Sequence, residues 1–225
     1  MTIPTNMIAE NLISDAIIPL RTSDTGSEAL GIMNEFHIRH LPIVNNEELL
    51  GLLSEDEILD HDADEAVCSY RLLFLHSFVR VNDHLYDVMR LVAEYQLTAV
   101  PVVDDQKRYI GIITAEDLIR QFAESGSFRE PGGLIVLEMS RQDYSLAQLA
   151  RIVESENAVI LSSQVNTFPD SPRIEVTLKV NKQNILNIIA SFERFDYEVK
   201  ATFNELEYSD GLRERYDSLI SYLNV

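Results

Sequence analysis

The chain carries an internal repeat, and each copy of a repeat must form the same supersecondary unit, which leaves few folds open. One copy runs from about residue 16 to 60, the other from about 77 to 122. The first contains Arg39-His40-Leu41-Pro42-Ile43-Val44, then Gly51-Leu52-Leu53-Ser54-Glu55-Asp56-Glu57-Ile58-Leu59. The second contains Thr98-Ala99-Val100-Pro101-Val102-Val103, then Gly111-Ile112-Ile113-Thr114-Ala115-Glu116-Asp117-Leu118-Ile119. Pro42 matches Pro101, and Gly51 matches Gly111. The copies differ in length between these runs, where residues 45–48 face the longer 104–108. A hairpin turn tolerates such a change.

Within each copy the pattern reads strand, helix, strand, turn, strand, helix. Leu85, Val88, Met89 and Val92 fall on one helix face. Thr25 followed by Glu28 reads as a capping box that starts the equivalent helix of the first copy. The second helix of each copy starts at Ser54 or Thr114. One unit of roughly 45 residues buries little core alone. The expectation is two βαββα units packed about a pseudo-twofold axis as one domain, residues 1–127. Residues 60–65 (Asp-His-Asp-Ala-Asp-Glu) read as an acidic linker, and Pro131-Gly132-Gly133 as the main boundary.

Beyond the boundary the pattern changes. Residues 134–139 form an apolar strand, and Leu146, Leu149, Ala150 and Val153 a helical stripe. Residues 158–165 read as a strand and 168–172 as a turn. Ile174, Val176, Leu178 and Val180 alternate with polar residues; Ile185, Ile188, Ile189 and Phe192 form a second stripe; Tyr197, Val199, Ala201 and Phe203 alternate again. The order βαββαβ over 134–205 is the ferredoxin-like arrangement. Residues 206–225, with Leu212, Tyr216, Leu219, Ile220 and Leu223 on one side, read as an amphipathic helix. The fold class is α/β (α+β).

Eighteen Lys and Arg stand against 37 Asp and Glu, a net charge of −19. Such a surface repels phosphate backbones and anionic membranes, so nucleic acid and membrane are excluded as partners. A small anionic ligand needs a local basic pocket. The lone Cys68 cannot form an intramolecular disulfide, and CxxC spacing is absent. Residues 1–12 do not read as a signal peptide, and no apolar run approaches the ~20 residues of a spanning helix. The expectation is a cytoplasmic protein.

The paired apolar-Pro-apolar-apolar and Gly-apolar-apolar-[Ser/Thr]-x-x-[Asp/Glu] segments resemble two CBS motifs, together a CBS pair or Bateman module, over roughly residues 1–125. Residues 134–205 resemble an ACT domain, and the whole arrangement is similar to the acetoin-utilisation AcuB-type family. That resemblance implies a regulatory, ligand-sensing protein that binds AMP, ADP, ATP or S-adenosylmethionine between the two copies and needs no cofactor. It implies a homodimer and a protein partner of unknown identity. In the family, the Thr or Ser and the Asp of the second segment contact ribose and phosphate. These are Thr114 and Asp117 in copy two, and Ser54 and Glu57 in copy one, where Glu is one methylene longer than the family's Asp. Arg39 and His40, just before the Leu-Pro step, offer a guanidinium fork and a titratable imidazole to phosphate. Copy two has the uncharged Thr98 and Ala99 there.

The same residues have plainer readings. Thr114-x-x-Asp117 and Ser54-x-x-Glu57 are also capping boxes. Arg39 and His40 could be solvated or paired with acids. His61 with Asp62, Asp64 and Glu65 lacks the glycine and distal Glu of a calcium loop and reads as a solvated linker. The loop Arg141-Gln142-Asp143-Tyr144-Ser145 has neither the Pro nor the Gly usual in amino-acid-binding ACT domains, which favours assembly for that domain. The sequence shows no nucleophile–base–acid set, metal spacing or Gly-rich phosphate loop, so catalysis is not expected. The alternative to sensing is a dimerisation and assembly scaffold without a ligand.

Overall fold

The computed structural model describes residues 7–14, 16–72, 78–124 and 126–204. The helix expected over 206–225 lies outside the described residues. Two compact units emerge, Met1–Ala123 and Glu124–Val225. Among the described residues, no helix is long and apolar enough to cross a membrane.

The first unit realises the repeat element by element. Copy one supplies α1 (Gly26–Glu35), β1 (His40–Asn45), β2 (Glu48–Ser54) and α2 (Glu55–Leu59). Copy two supplies β3 (Val79–Arg80), α3 (Leu85–Tyr95), β4 (Ala99–Val103), β5 (Tyr109–Thr114) and α4 (Ala115–Ala123). β1 pairs antiparallel with β2, and β4 with β5. Each hairpin carries an irregularity at the same repeat position, Ile43/Val44 and Val102/Val103. The first strand of copy two is β3, parallel to β4 through Val79 and Val102. In copy one it shrinks to a parallel bridge between Leu20 and Ile43, in which the Leu20 N–H donates to the Pro42 carbonyl at 2.8 Å.

Local signals account for these ends and turns. The Thr25–Glu28 capping box forms, with the Thr25 N–H donating to Glu28 at 2.8 Å and the Glu28 N–H to Thr25 at 3.2 Å. α3 buries Leu85, Val88 and Leu91; Met89, expected on that face, is 39% exposed at its edge. The short first turn places Asn46 and Glu47 at φ 48° and 71°. In the longer second turn the Asp104 carboxylate accepts the N–H groups of Gln106 at 2.9 Å and Arg108 at 2.8 Å.

The segments preceding each copy pack on the other copy. The Ala9 N–H donates to the Asp83 carbonyl and the Leu85 N–H to the Met7 carbonyl, both at 2.8 Å. Ala9 and Leu12 join the core of Val79, Leu85, Val88, Val100 and Ile113. The repeat reproduces this in reverse. The Val67 N–H donates to Asp24 at 2.8 Å and the Gly26 N–H to Glu65 at 3.1 Å. Val67 and Tyr70 join the core of Ala29, Met33, Leu41 and Ile58. A single 3-10 turn, Ala9–Leu12 or Val67–Ser69, sits at the equivalent place in each exchange. The stretch 60–65 is the exposed acidic linker expected from its charges, with Ala63 half-buried, and its backbone is tied to copy one. The Ser27 N–H donates to Ala63 at 2.7 Å, and the Tyr70 hydroxyl to the Asp62 carbonyl at 2.6 Å. A unit this small cannot close its own core, so each copy borrows the other's leading segment.

The second unit contains α5 (Gly126–Arg129), β6 (Gly133–Ser140), α6 (Leu146–Ser155), β7 (Ile160–Thr167), β8 (Arg173–Val180), α7 (Leu186–Arg194) and β9 (Glu198–Asn204). Its four strands run antiparallel in the order β7-β8-β6-β9, the ferredoxin-like topology. Ile135, Leu137, Met139, Ile174, Val176, Leu178 and Val180 pack against Leu149, Ile152, Val153, Ile188 and Phe192. Two expected faces are redrawn. α6 turns Ile152 inward and leaves Leu146 44% exposed. β9 bulges: Val199 lies opposite Leu137 but Ala201 opposite Val136, so the alternation slips by one. Phe203 then falls opposite Leu134 and is 58% exposed instead of joining Tyr197 and Val199 at the core. On the face away from the helices, Arg173 and Lys200 bridge Glu138, with Glu198 and Glu175 completing the network. Lys200 foremost, then Arg173, holds the Glu138 carboxyl below its usual range.

The exchange makes a prediction. A Cβ on Gly111 would stand 2.3 Å from Ile13 Cγ2 of the borrowed segment, whereas one on Gly31 in α1 meets nothing within 4 Å. Gly111→Ala is expected to destabilise by about 1–3 kcal/mol, and adding Ile13→Ala should recover part of that loss. Gly31→Ala is expected to stabilise by about 0.4–1 kcal/mol. Urea unfolding of the three variants measures all of these.

Candidate functional site

α4 begins at Thr114, the last residue of β5. The Thr114 hydroxyl donates to Asp117 Oδ2 at 2.6 Å and accepts the Asp117 N–H at 3.0 Å. The Thr114 N–H faces the same carboxylate oxygen at 3.3 Å. Thr114 is only 7% exposed. The second oxygen, Oδ1, meets Arg120 Nη1 at 3.4 Å. Arg120 is largely exposed and shared with Glu116 at 2.8 Å. Exposed pairs of this kind contribute little, so a ligand hydroxyl can compete for Oδ1.

Copy one departs from this arrangement. Ser54 Oγ accepts the Glu57 N–H at 3.3 Å. The Glu57 carboxylate instead accepts the N–H of Arg71 at 3.0 Å, and stands 3.8 Å from His61 Nδ1. The extra methylene carries it past the Ser54 backbone to the segment lent to copy one. Glu57 thus anchors the exchange, and Ser54 caps α2 without a returned bond.

Arg39 and His40 lie where the copies meet. The Arg39 N–H donates to Thr98 Oγ1 at 2.7 Å. His40 Nδ1 accepts the Thr98 N–H at 3.2 Å and lies 3.0 Å from Thr98 Oγ1. The Arg39 carbonyl accepts the Glu55 N–H at 2.9 Å, and the Thr98 carbonyl accepts the Ala115 N–H at 3.0 Å. Arg39 and Thr98 are repeat counterparts, so the pseudo-twofold axis passes between them. One band of residues crosses it. His40 is paired with Ser54 across β1 and β2, His40 touches Thr98, and the next residue, Ala99, is paired with Thr114 across β4 and β5. The structure therefore brings Arg39, His40, Ser54, Thr114 and Asp117 into one connected region and engages Glu57 with residue 71.

Burial foremost, and then the neighbouring Arg39 charge, pushes the His40 imidazole below its ordinary value, against a smaller opposing pull from Asp56. An unprotonated Nδ1 accepts the Thr98 N–H, whereas an Nδ1 that carries a proton donates to Thr98 Oγ1 at 3.0 Å, so the tautomer decides which of the two bonds is made. Thr98 is the participant that charge-based reading missed. It has no charge, but it occupies the repeat position of Arg39, and that correspondence was the available signal.

In the second unit, a cavity of about 630 Å³ opens beside the 141–145 loop, where Asp143, Tyr144, Gln148 and Tyr197 line it and the Tyr197 hydroxyl meets Gln148 at 3.1 Å. Among the described residues, no group of three or more His, Cys, Asp or Glu side chains could hold a metal ion.

Residues 9–64 and 77–124 match the CBS domain family. Inosine-5'-monophosphate dehydrogenase of Methanocaldococcus jannaschii is 21% identical over 151 residues, which cover 66% of this chain and 30% of that protein. L-aspartate semialdehyde sulfurtransferase of the same organism is 27% identical over 117 residues, covering 51% of this chain and 23% of that one. The chain thus spans less than a third of the length of either relative. Among solved structures, a CBS domain pair/ACT domain protein from Thermotoga maritima is 21% identical, with a TM-score of 0.48, covering 53% of this chain and 99% of its own. CBSX2 in complex with AMP is 22% identical, with a TM-score of 0.46, covering 53% of this chain and 98% of its own.

The unequal caps predict unequal losses. Thr114→Ala removes a reciprocal cap and should destabilise by about 1–2 kcal/mol, whereas Ser54→Ala removes a single bond and should cost about 0.5 kcal/mol. Thermal unfolding of the two variants against the wild type checks the order.

Proposed function

We propose that this chain, a CBS-pair protein with a second, ACT-like unit, is a non-enzymatic regulator that senses an adenosine-containing ligand: AMP, ADP, ATP or S-adenosylmethionine. The observation that carries the reading is the start of α4, where Thr114 and Asp117 stand beside a residue, Thr98, that copy one holds in place. An Asp carboxylate accepts two hydrogen bonds from a ribose diol. Arg39 supplies a cation near the pseudo-twofold axis of a chain whose net charge of −19 would otherwise repel a nucleotide. Ligand bound against both copies would favour one disposition of the pair, which requires different affinities for the two states. In this reading the chain is cytoplasmic and homodimeric, and the ACT-like unit passes the signal to a protein partner, as the resemblance to the AcuB-type family implies.

A second reading, a scaffold without a ligand, draws support from Glu57. Its carboxylate is engaged by Arg71, which leaves copy one poorly equipped for ribose. Calorimetry and thermal shift with AMP, ATP and S-adenosylmethionine separate the two. A ligand at about 100 times its Kd should stabilise by about 2.7 kcal/mol. Asp117→Ala is expected to abolish this and Glu57→Gln to preserve it. Silence from every ligand at millimolar concentration would leave the scaffold.

A further inference from the structure

We propose that His40 is a proton-operated latch between the two CBS copies, and that its protonation weakens ligand binding at Thr114 and Asp117; the second half rests on the nucleotide reading above. Every polar group of Thr98 is committed. Its N–H donates to His40 Nδ1 at 3.2 Å, its hydroxyl oxygen accepts the Arg39 N–H at 2.7 Å and faces Nδ1 at 3.0 Å, and its carbonyl accepts the Ala115 N–H at 3.0 Å. Thr98 is therefore the joint through which copy one touches the first residue of α4. Neutral His40 closes that joint by lending its Nδ1 lone pair. Protonated His40 carries a hydrogen there, which turns to Thr98 Oγ1 at 3.0 Å, and the Thr98 N–H loses its acceptor in a half-buried place. The strain is relieved by withdrawing Thr98, and the Ala115 N–H bond carries the shift to the Thr114–Asp117 cap.

The surroundings set the direction. The charged groups that bear on His40 are Arg39 beside it, which opposes protonation, and Asp56 on α2, which favours it more weakly; copy two presents the uncharged Thr98. Burial adds to the effect of Arg39, so the folded value lies below the ordinary one. A histidine depressed on folding contributes stability that is complete above its unfolded value of about 6.5 and is lost as pH falls through the lower folded value. The latch is closed at neutral pH and opens on acidification.

The test follows the Thr98 and Ala115 amides and the His40 ring by NMR from about pH 7.5 to about pH 5. In the wild type both amides should shift with the midpoint of the ring. In His40→Asn, whose side-chain oxygen accepts the Thr98 N–H at every pH, they should stay flat. Calorimetry with AMP on both proteins near pH 7.5 and pH 5.5 reads the coupling. On acidification the wild type should lose at least about fivefold more affinity than His40→Asn. Comparing the two proteins cancels the titration of the AMP phosphate itself. A ring that titrates while both amides stay still overturns the latch, and this arm needs no variant to fold. Equal losses of affinity in the two proteins overturn the coupling. Absence of AMP binding in both proteins at both pH values overturns the coupling together with the nucleotide reading, while the amide shifts alone decide the latch.

Discussion

The contact of Arg39 and His40 with Thr98 is the constraint on which the first unit depends. Two strands from different copies start at the pseudo-twofold axis, and each begins with backbone groups that its own hairpin does not pair. The Thr98 side chain satisfies the Arg39 N–H, and the His40 ring satisfies the Thr98 N–H. Buried polar groups of this kind cost free energy unless they are paired. The same two residues lend their carbonyls to the first N–H groups of α2 and α4. Inter-copy packing and the helix starts of the candidate site are therefore one hydrogen-bonded system, and neither copy can rearrange alone.

The exchanged segments add cohesion at a distance from the axis. Residues 7–14 and 65–72 each complete the core of the copy they do not lead into in sequence. This explains why small residues stand at Gly26 and Gly111: a Cβ at Gly26 would stand 2.4 Å from the Tyr70 hydroxyl, as one at Gly111 would meet Ile13. It also separates the two sites chemically. Glu57 is spent on anchoring residue 71, whereas Asp117, one methylene shorter, stays at its own cap. The repeat places the two motifs at equivalent positions, and the Glu57/Asp117 difference makes them chemically unequal.

Much of this was legible in the residues. The repeat defined the paired hairpins, the Thr25–Glu28 spacing marked a helix start, and the alternation from Ile174 to Val180 marked a buried strand face. What escaped were features set by tertiary context. The charges of 60–65 pointed correctly to solvent, but composition does not report that the backbone carbonyls of Asp62 and Ala63 tie the stretch to copy one. Phe203 kept the strand period on paper, and a bulge shifted it to the other face. At the site, residue types identified Thr114 and Asp117 as a pair but could not show that Arg39 and His40 reach Thr98, because that contact joins residues about 59 positions apart through the axis.

Native-state hydrogen exchange at the Thr98 and Ala115 amides, with and without AMP, tests most directly the claim that the axis and the α4 site act as one system. The account predicts that AMP slows exchange at both amides together, because a ligand seated on Thr114 and Asp117 also holds the joint closed. Protection that rises at Ala115 while Thr98 stays unchanged would contradict it, since the site would then be independent of the contact between the copies.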